Sequence, residues 1–368
     1  MKKFVLILLS ALLLLSLVSC QQKKEAAQSE TGSDVGVNVS ENEPKAEDGN
    51  KIKIAVLYSG FLGDKSYNDS CHKGVEKAIE EFGVEVKELQ SKEPAEWESN
   101  LLAVIAGEEK YDLIIGSSTQ FAELFEKHCA DYPDQKFALI DGEVKGDNII
   151  SSIFAQNEGS FLAGAAAAMF TTMTDIPNVN EDKVIGWVGG MDIPVLADFF
   201  TGYKQGAAYI DPEVKVLQSF AGSFTDPLKG KELTLAQYDQ GADIVMNVAS
   251  GTGTGILEAA KESGKYAIGV DLNQDDVYPG HILTSMLKNV DTAAYLAIKA
   301  VVENKFEGGT TNYLDISNGG VGLTDFSIMK EALGDKFPEV IVEKIKELEE
   351  KVKSGEIVVE NYEGFGRK

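Results

Sequence analysis

From residue 51 onward the chain alternates between two hydrophobic rhythms. Short apolar runs at 53–58 (KIAVLY), 112–116 (DLIIG), 137–141 (FALID) and 149–154 have the length and the β-branched content of buried strands. Longer amphipathic stretches lie between them. Val75, Ile79 and Phe82 recur at helical spacing within 66–82, and Trp97, Leu101, Val104 and Ile105 within 97–106. A strand at 84–89 and a helix at 120–130 complete this first series. The cycle then restarts with an apolar, small-residue helix at 159–173. Strands at 184–189, 214–220, 242–248 and 266–271 alternate with helices at 195–210, 228–240 and 255–263. A strand at 282–288, a helix at 291–304 and a strand at 311–317 follow. The last helix, 336–353, is charged, with Ile341, Ile345, Leu348 and Val352 on its apolar face. Alternating strands and helices mean βαβ units and parallel sheets. Two series of similar length predict an α/β chain with two doubly wound lobes. In such sheets ligands bind beyond the carboxyl ends of the strands. The stretch 159–173 is short for a membrane span, and its Ala and Gly suit tight helix–sheet packing.

The first fifty residues follow a different rule. Met1-Lys2-Lys3 is basic, and 4–18 is apolar apart from Ser10 and Ser16. The run ends at Leu17-Val18-Ser19-Cys20, the layout of a secretory signal. A cysteine directly after a small residue resembles a bacterial lipobox. That resemblance implies cleavage before Cys20 and diacylglycerol on its sulfur. Residues 1–19 are then a lipoprotein signal peptide, and 20–50 a lipidated cysteine with a polar, disordered tether. Thirty flexible residues span about 30 Å r.m.s.. The expected location is the extracytoplasmic face of a cell membrane, held by acyl chains at about 0.8 kcal/mol per buried CH₂.

The net charge of −25 becomes −27 once Lys2 and Lys3 leave with the signal. So acidic a surface disfavours nucleic acid and wide adsorption to anionic lipid. The chain has three Cys and three His and no Cys-x-x-Cys, so no metal site is expected. Cys71 lies at the start of one predicted helix and Cys129 at the end of another, at opposite edges of the sheet. A helix of that length spans about 15–20 Å, whereas a disulfide needs Cα atoms within about 7 Å. Two free thiols follow. No Ser–His–Asp arrangement is visible, and none of the His follows a predicted strand end. The expectation is a protein that does no chemistry and carries no cofactor.

The strand ends hold the candidate ligand groups. After the first strand, Asp64 or Ser66 caps the next helix, and Tyr67 and Asn68 face either the cleft or solvent. FALID ends in Asp141. The helix after 184–189 carries Phe199 and Phe200, either of which offers a flat face for stacking. Ser250-Gly251-Thr252-Gly253-Thr254-Gly255 follows ADIVMNV and can present backbone N–H groups, but it lacks the Gly-Lys-Ser/Thr ending of a phosphate loop. YAIGVD ends in Asp271, and 282–288 ends in Lys288. Three carboxylates against one lysine disfavour phosphate. They suit a neutral ligand rich in O–H and N–H donors, with aromatic faces for a flat ring.

Seven segments in order carry a resemblance: GDKSYN at 63–68, FALID, EGSFLAG at 158–164, FFTGYKQG at 199–206, the Gly251–Gly255 turn, Gly269-Val270-Asp271, and SNGGV at 317–321. Together they resemble the basic membrane protein, or purine nucleoside receptor A, family of lipoproteins. The resemblance implies a type I periplasmic-binding-protein fold, two α/β lobes joined by three crossovers with a ligand cleft between them. Residues 51–154 and about 280–306 would form lobe 1, and 155–279 and about 307–368 lobe 2. It implies a lipid-anchored substrate-binding protein that delivers nucleosides to the permease and ATPase of an ABC importer. Tyr67 and Phe199 would sandwich the base; Phe199 is preferred to Phe200 for its place three residues before Gly202. Asn68 and Asp141 would read the base edge, with Asp64 close by. Gly251, Asp271 and Lys288 would hold the ribose. Two features depart from the pattern: the charge is acidic, and Tyr67 stands where many members have Phe. The residues leave open a sugar or signalling receptor of the same fold, a nucleoside-processing enzyme, and a surface adhesin.

Overall fold

The computed structural model describes residues 51–91 and 93–363. The expected signal peptide, the lipidated Cys20 and the whole tether lie outside the described residues. The first series forms β1 (Lys53–Tyr58), α1 (Tyr67–Phe82), β2 (Glu85–Gln90), α2 (Ala95–Ile105), β3 (Leu113–Ser117), α3 (Ala122–His128), β4 (Phe137–Ile140) and β5 (Ile149–Phe154). The second forms α4 (Gln156–Thr171), β6 (Val184–Gly189), α5 (Pro194–Ile210), β7 (Lys215–Phe220), α6 (Pro227–Asp239), β8 (Ala242–Val248), α7 (Gly253–Ser263), β9 (Tyr266–Asp271) and β10 (Ile282–Lys288). The chain ends with α8 (Val290–Val302), β11 (Thr311–Leu314), β12 (Val321–Leu323), α9 (Ser327–Leu333) and α10 (Glu339–Lys353).

Two six-stranded sheets result, in the orders β11-β5-β4-β3-β1-β2 and β12-β10-β9-β8-β6-β7. Every pairing is parallel except β10 with β12. The orders correspond position by position, so β4 and β9 are equivalent strands. The chain passes between lobes three times: at Ala155, at Asn289, and between β11 and β12. These crossings are tied together, since Ala155 N–H donates to Leu314 O at 2.9 Å and Asn289 N–H to Gly320 O at 2.9 Å.

Two expected boundaries are corrected. β10 (282–288) belongs to the second sheet and β11 (311–314) to the first. Helix α8 does pack in lobe 1, against α1, β3 and β4. Lobe 1 is therefore 51–154 with 290–314, and lobe 2 is 156–288 with 321–363. A strand's hydrophobic pattern reports its burial but not which sheet buries it.

Packing corrects one helix reading and extends another. Ile79, expected inward with Val75 and Phe82, is 38% exposed. The buried side of α1 runs instead through Asn68, Cys71, Gly74, Val75 and Ala78, because α1 lies along α8 at Gly74. A Cβ there would stand 2.1 Å from the Asp291 carbonyl oxygen. In α4 the small residues serve helix–helix contact as well as the expected helix–sheet contact, where a Cβ at Gly159 would stand 2.3 Å from Met286 Cε of β10. Cβ atoms at Gly164, Gly202 and Gly206 would fall within 2.0 Å of backbone oxygens on the facing helix of the α4–α5 pair. Helix α10 packs on α4, and the segment after it is bonded down by Asn157, Asp198 and Gln205.

Among the described residues no helix is long and apolar enough to cross a membrane. Cys71 and Cys129 are free and buried. They fall in separate apolar clusters on opposite faces of the first sheet, where alternate residues of β1 point. Burial pushes both thiols up to about 12. A Cys20→Ser chain, unfolded without reductant, should therefore yield two thiols to a colorimetric titration, and the native chain none within minutes. Two reactive thiols in the native state would contradict this burial.

Candidate ligand cleft

The carboxyl ends of β1, β3, β4, β6, β8, β9 and β10 converge on one cavity between the lobes, of about 710 Å³ including its open side. Its lining includes Asp64, Tyr67, Asn68, Asp141, Phe199, Asp271 and Lys288. Of the eight residues assigned to the ligand by the resemblance, Gly251 alone stands outside this lining. It lies behind Ser250, where a Cβ would come 3.2 Å from the Phe61 ring and 3.1 Å from the Phe224 carbonyl oxygen.

The carboxylates differ in what they do. Asp64 is the helix cap: its oxygens accept N–H groups of Ser66, Asn68 and Asp69 at 2.9–3.1 Å. They also accept Asn68 Nδ2 at 2.8 Å and Ser250 Oγ at 2.7 Å. Ser66 does not cap; its hydroxyl donates to Asp271 Oδ2 across the cleft. Asp141 and Asp271, just after β4 and at the end of β9, occupy equivalent places in the two lobes. Both take left-handed backbone, φ 68° and 65°, as do Lys65 and Ser250 beside them. Strained backbone at three residues that line the cleft and at Lys65 beside them marks a place where the fold holds side chains against local preference.

Lys288 reaches from lobe 2 to lobe 1, its Nζ 2.6 Å from Asp141 Oδ1, with both groups buried. The ammonium lies 5.7 Å from the centre of the Tyr67 ring and 5.1 Å from those of Phe154 and Phe199. Tyr67 of lobe 1 and Phe199 of lobe 2 thus stand around one point. Phe200, the other candidate, packs edge-on against Trp187 at 5.4 Å in the lobe 2 core. The Gly202 and Gly206 contacts fix the roll of α5 that separates these neighbours. The Tyr67 hydroxyl is itself buried, as is Asn68 Oδ1, which has no hydrogen-bond partner.

Burial pushes the Asp271 carboxyl up from 3.8 to about 7; the Ser66 hydroxyl and Lys288 oppose the rise, and Asp64 and Asp141 add to it. Burial also raises Asp141, against the pull of Lys288. Sequence reasoning missed Phe61, Gln120, Leu196, Phe224 and Ser250 in the lining. Ser250 sits in the Gly-rich turn and was within reach; the others are placed by tertiary contacts alone.

Comparison with known proteins agrees with this architecture. The family model described as "Bmp: ABC transporter substrate-binding protein PnrA-like" matches residues 51–363. An uncharacterized lipoprotein of Pyrococcus furiosus is 34% identical over 84% of this chain and 85% of its own. Basic membrane protein B of Borrelia garinii subsp. bavariensis is 30% identical over 86% of this chain and 89% of its own. The crystal structure of an ABC transporter solute-binding protein from Aeropyrum pernix K1 superposes with a TM-score of 0.74 at 34% identity, over 84% of this chain and 94% of that one.

A carboxyl raised in the folded state stabilises most below its unfolded value, and the contribution is lost as pH rises through the folded one. For Asp271 that window runs from about 3.8 to about 7. Asp271→Asn should gain stability relative to the parent as pH rises from 4 to 7.5. Paired denaturant titrations would show a difference that grows through this window; a flat difference would mean that Asp271 ionises freely.

Proposed function

We propose, for a chain that belongs to the PnrA-like family of ABC transporter substrate-binding proteins, that the ligand is a nucleoside and the partners are the permease and ATPase of an importer. Lipid on Cys20 holds the protein to the outer face of the membrane. The observation that carries this reading is that two aromatic rings, Tyr67 and Phe199, one per lobe, line the cleft together with Asp141, Asp271 and Lys288, and both lie within 6 Å of the Lys288 ammonium. A flat base stacks on such rings. A ribose carries vicinal hydroxyls that one carboxylate accepts together. Asn68 Oδ1, an unpartnered buried acceptor at the cleft, suits a donor on the base edge. The excess of carboxylates disfavours a phosphorylated ligand, so the free nucleoside is preferred to its nucleotide.

Binding would close the lobes about the three crossings, driven by the ligand's greater affinity for the closed state. The family's role is binding and delivery, and no step of bond making is assigned to the cleft residues.

Calorimetric titration of ligand-stripped protein with inosine, guanosine, adenosine, cytidine, uridine and ribose tests the reading. Sub-micromolar binding of a nucleoside, with ribose silent, is expected. Binding of a pentose or hexose, with every nucleoside silent, would transfer the cleft to a sugar. Tyr67→Ala should weaken the nucleoside by about 2 kcal/mol through lost stacking, and Asp271→Ala by a similar amount through a lost charged acceptor, about 2 kcal/mol. Tyr67→Phe should change little, because the ring face that stacks is kept; a large loss would make the hydroxyl a ligand contact. Cells fed labelled fatty acid should label the parent chain and not Cys20→Ser; a parent chain without label would rule out the lipid anchor.

A further inference from the structure

Three consecutive residues of the loop between β1 and α1 each meet a different segment of lobe 2. Ser250 Oγ, before α7, donates to Asp64 Oδ2 at 2.7 Å. Gln274 Nε2, from the loop between β9 and β10, donates to the Lys65 carbonyl oxygen at 2.8 Å. The Ser66 hydroxyl donates to Asp271. The first and third bonds use carboxylates that line the cleft. The second does not: neither Gln274 nor Lys65 lines the cavity.

Both sides of that middle bond are built before they meet. In lobe 2, Gln274 Oε1 accepts Val270 N–H at 3.0 Å and Asn247 Nδ2 at 3.3 Å. The Gln274 N–H donates to Ser285 Oγ at 3.0 Å, and that hydroxyl donates to Asp275 at 2.6 Å. With its oxygen and backbone held, the carboxamide presents its NH₂ in a set direction, and the residue is only 3% exposed. In lobe 1, Asp69 accepts the N–H groups of Gly63 and Lys65 at 2.7 and 2.8 Å, while Asp64 accepts those of Ser66, Asn68 and Asp69. Little ordering remains to be done when the two sides join, so most of the bond's free energy goes into closure.

We propose that Gln274 is a closure latch, a positioning residue that holds the lobes together through the Lys65 carbonyl without touching the ligand. It sets how much of the protein is closed before ligand arrives and how long a bound ligand stays. The latch is independent of ligand identity, because its partner is backbone.

Gln274→Glu isolates the donor. It keeps an acceptor for Val270 and Asn247 and sets an oxygen against the Lys65 carbonyl. Gln274→Met, which carries no charge, guards against a folding defect of the buried acid. Spin labels on Ala95→Cys and Leu228→Cys, in a full chain carrying Cys20→Ser, report the opening. Both are exposed and open the helices that follow the edge strands β2 and β7, far from the crossings. Cys71 and Cys129 are buried and stay unlabelled. Without ligand, pulsed dipolar distances in both variants should shift from the short population of the parent toward longer values. With inosine as probe, the dissociation rate should rise on the order of tenfold, and the association rate should stay within about twofold. Unchanged distances in folded variants, even with a lowered melting temperature, would reduce Gln274 to a lobe 2 packing residue and overturn the latch. A slower association with unchanged dissociation would also overturn it. Failure of the parent to bind inosine would count against the nucleoside reading alone, since the ligand-free distances still decide the latch.

Discussion

The cleft depends on one buried cation. Lys288 ends β10 and directly precedes the crossing at Asn289, so its ammonium is delivered at the hinge. It meets Asp141 from the other lobe at 2.6 Å with almost no solvent around either group. A carboxylate buried without such a partner would be driven to protonate. Asp64 solves the same problem differently, with backbone N–H groups of its own helix. Asp271 solves it least, and its raised proton affinity is the residue of that imbalance. The three carboxylates are thus three electrostatic environments: a permanent cap, a half of an ion pair, and an acid held near its titration point.

The pairing also carries a geometric consequence. Its partners sit on different lobes, so the charge balance of the cleft exists only when the lobes are together. Opening exposes Asp141 and Lys288 to water, which replaces much of what they lose. Closure therefore exchanges hydration for a short ion pair and aromatic surroundings, a nearly balanced trade that a ligand or a further hydrogen bond can tip.

Legibility of the chain followed burial. β1, β5, β6, β8, β9 and β10 coincide residue for residue with the apolar runs that predict them, because strands covered on both faces read as continuous hydrophobic segments. β12, three residues paired antiparallel to β10, left no such trace. Nor did α9, which buries only Met329. Asp141, Asp271 and Lys288 were readable because a charged residue closing an apolar run has few places to go except the sheet edge. Phe61 and Phe224 were not readable, since nothing local distinguishes a ring that reaches the cleft from one that fills the core. The buried face of α1 was misjudged, and the α5 contact of α4 went unseen, for a related reason. Glycine marks close approach, but the identity of the approaching element is a property of the whole fold.

The three crossings impose an order on how the molecule comes into being. Neither lobe is a contiguous stretch of chain. The first sheet waits for β11 and its outer helix layer for α8; the second waits for β12, and the α4–α5 pair for the closing strand-like segment after α10. A ribosome or a translocation channel that releases the chain from its N-terminus presents an incomplete first lobe until residues 311–314 have emerged. Domain-by-domain folding during synthesis is thereby denied to both halves. Neither sheet is complete until most of the chain has emerged, which favours the extended state in which a polypeptide can be threaded across a membrane.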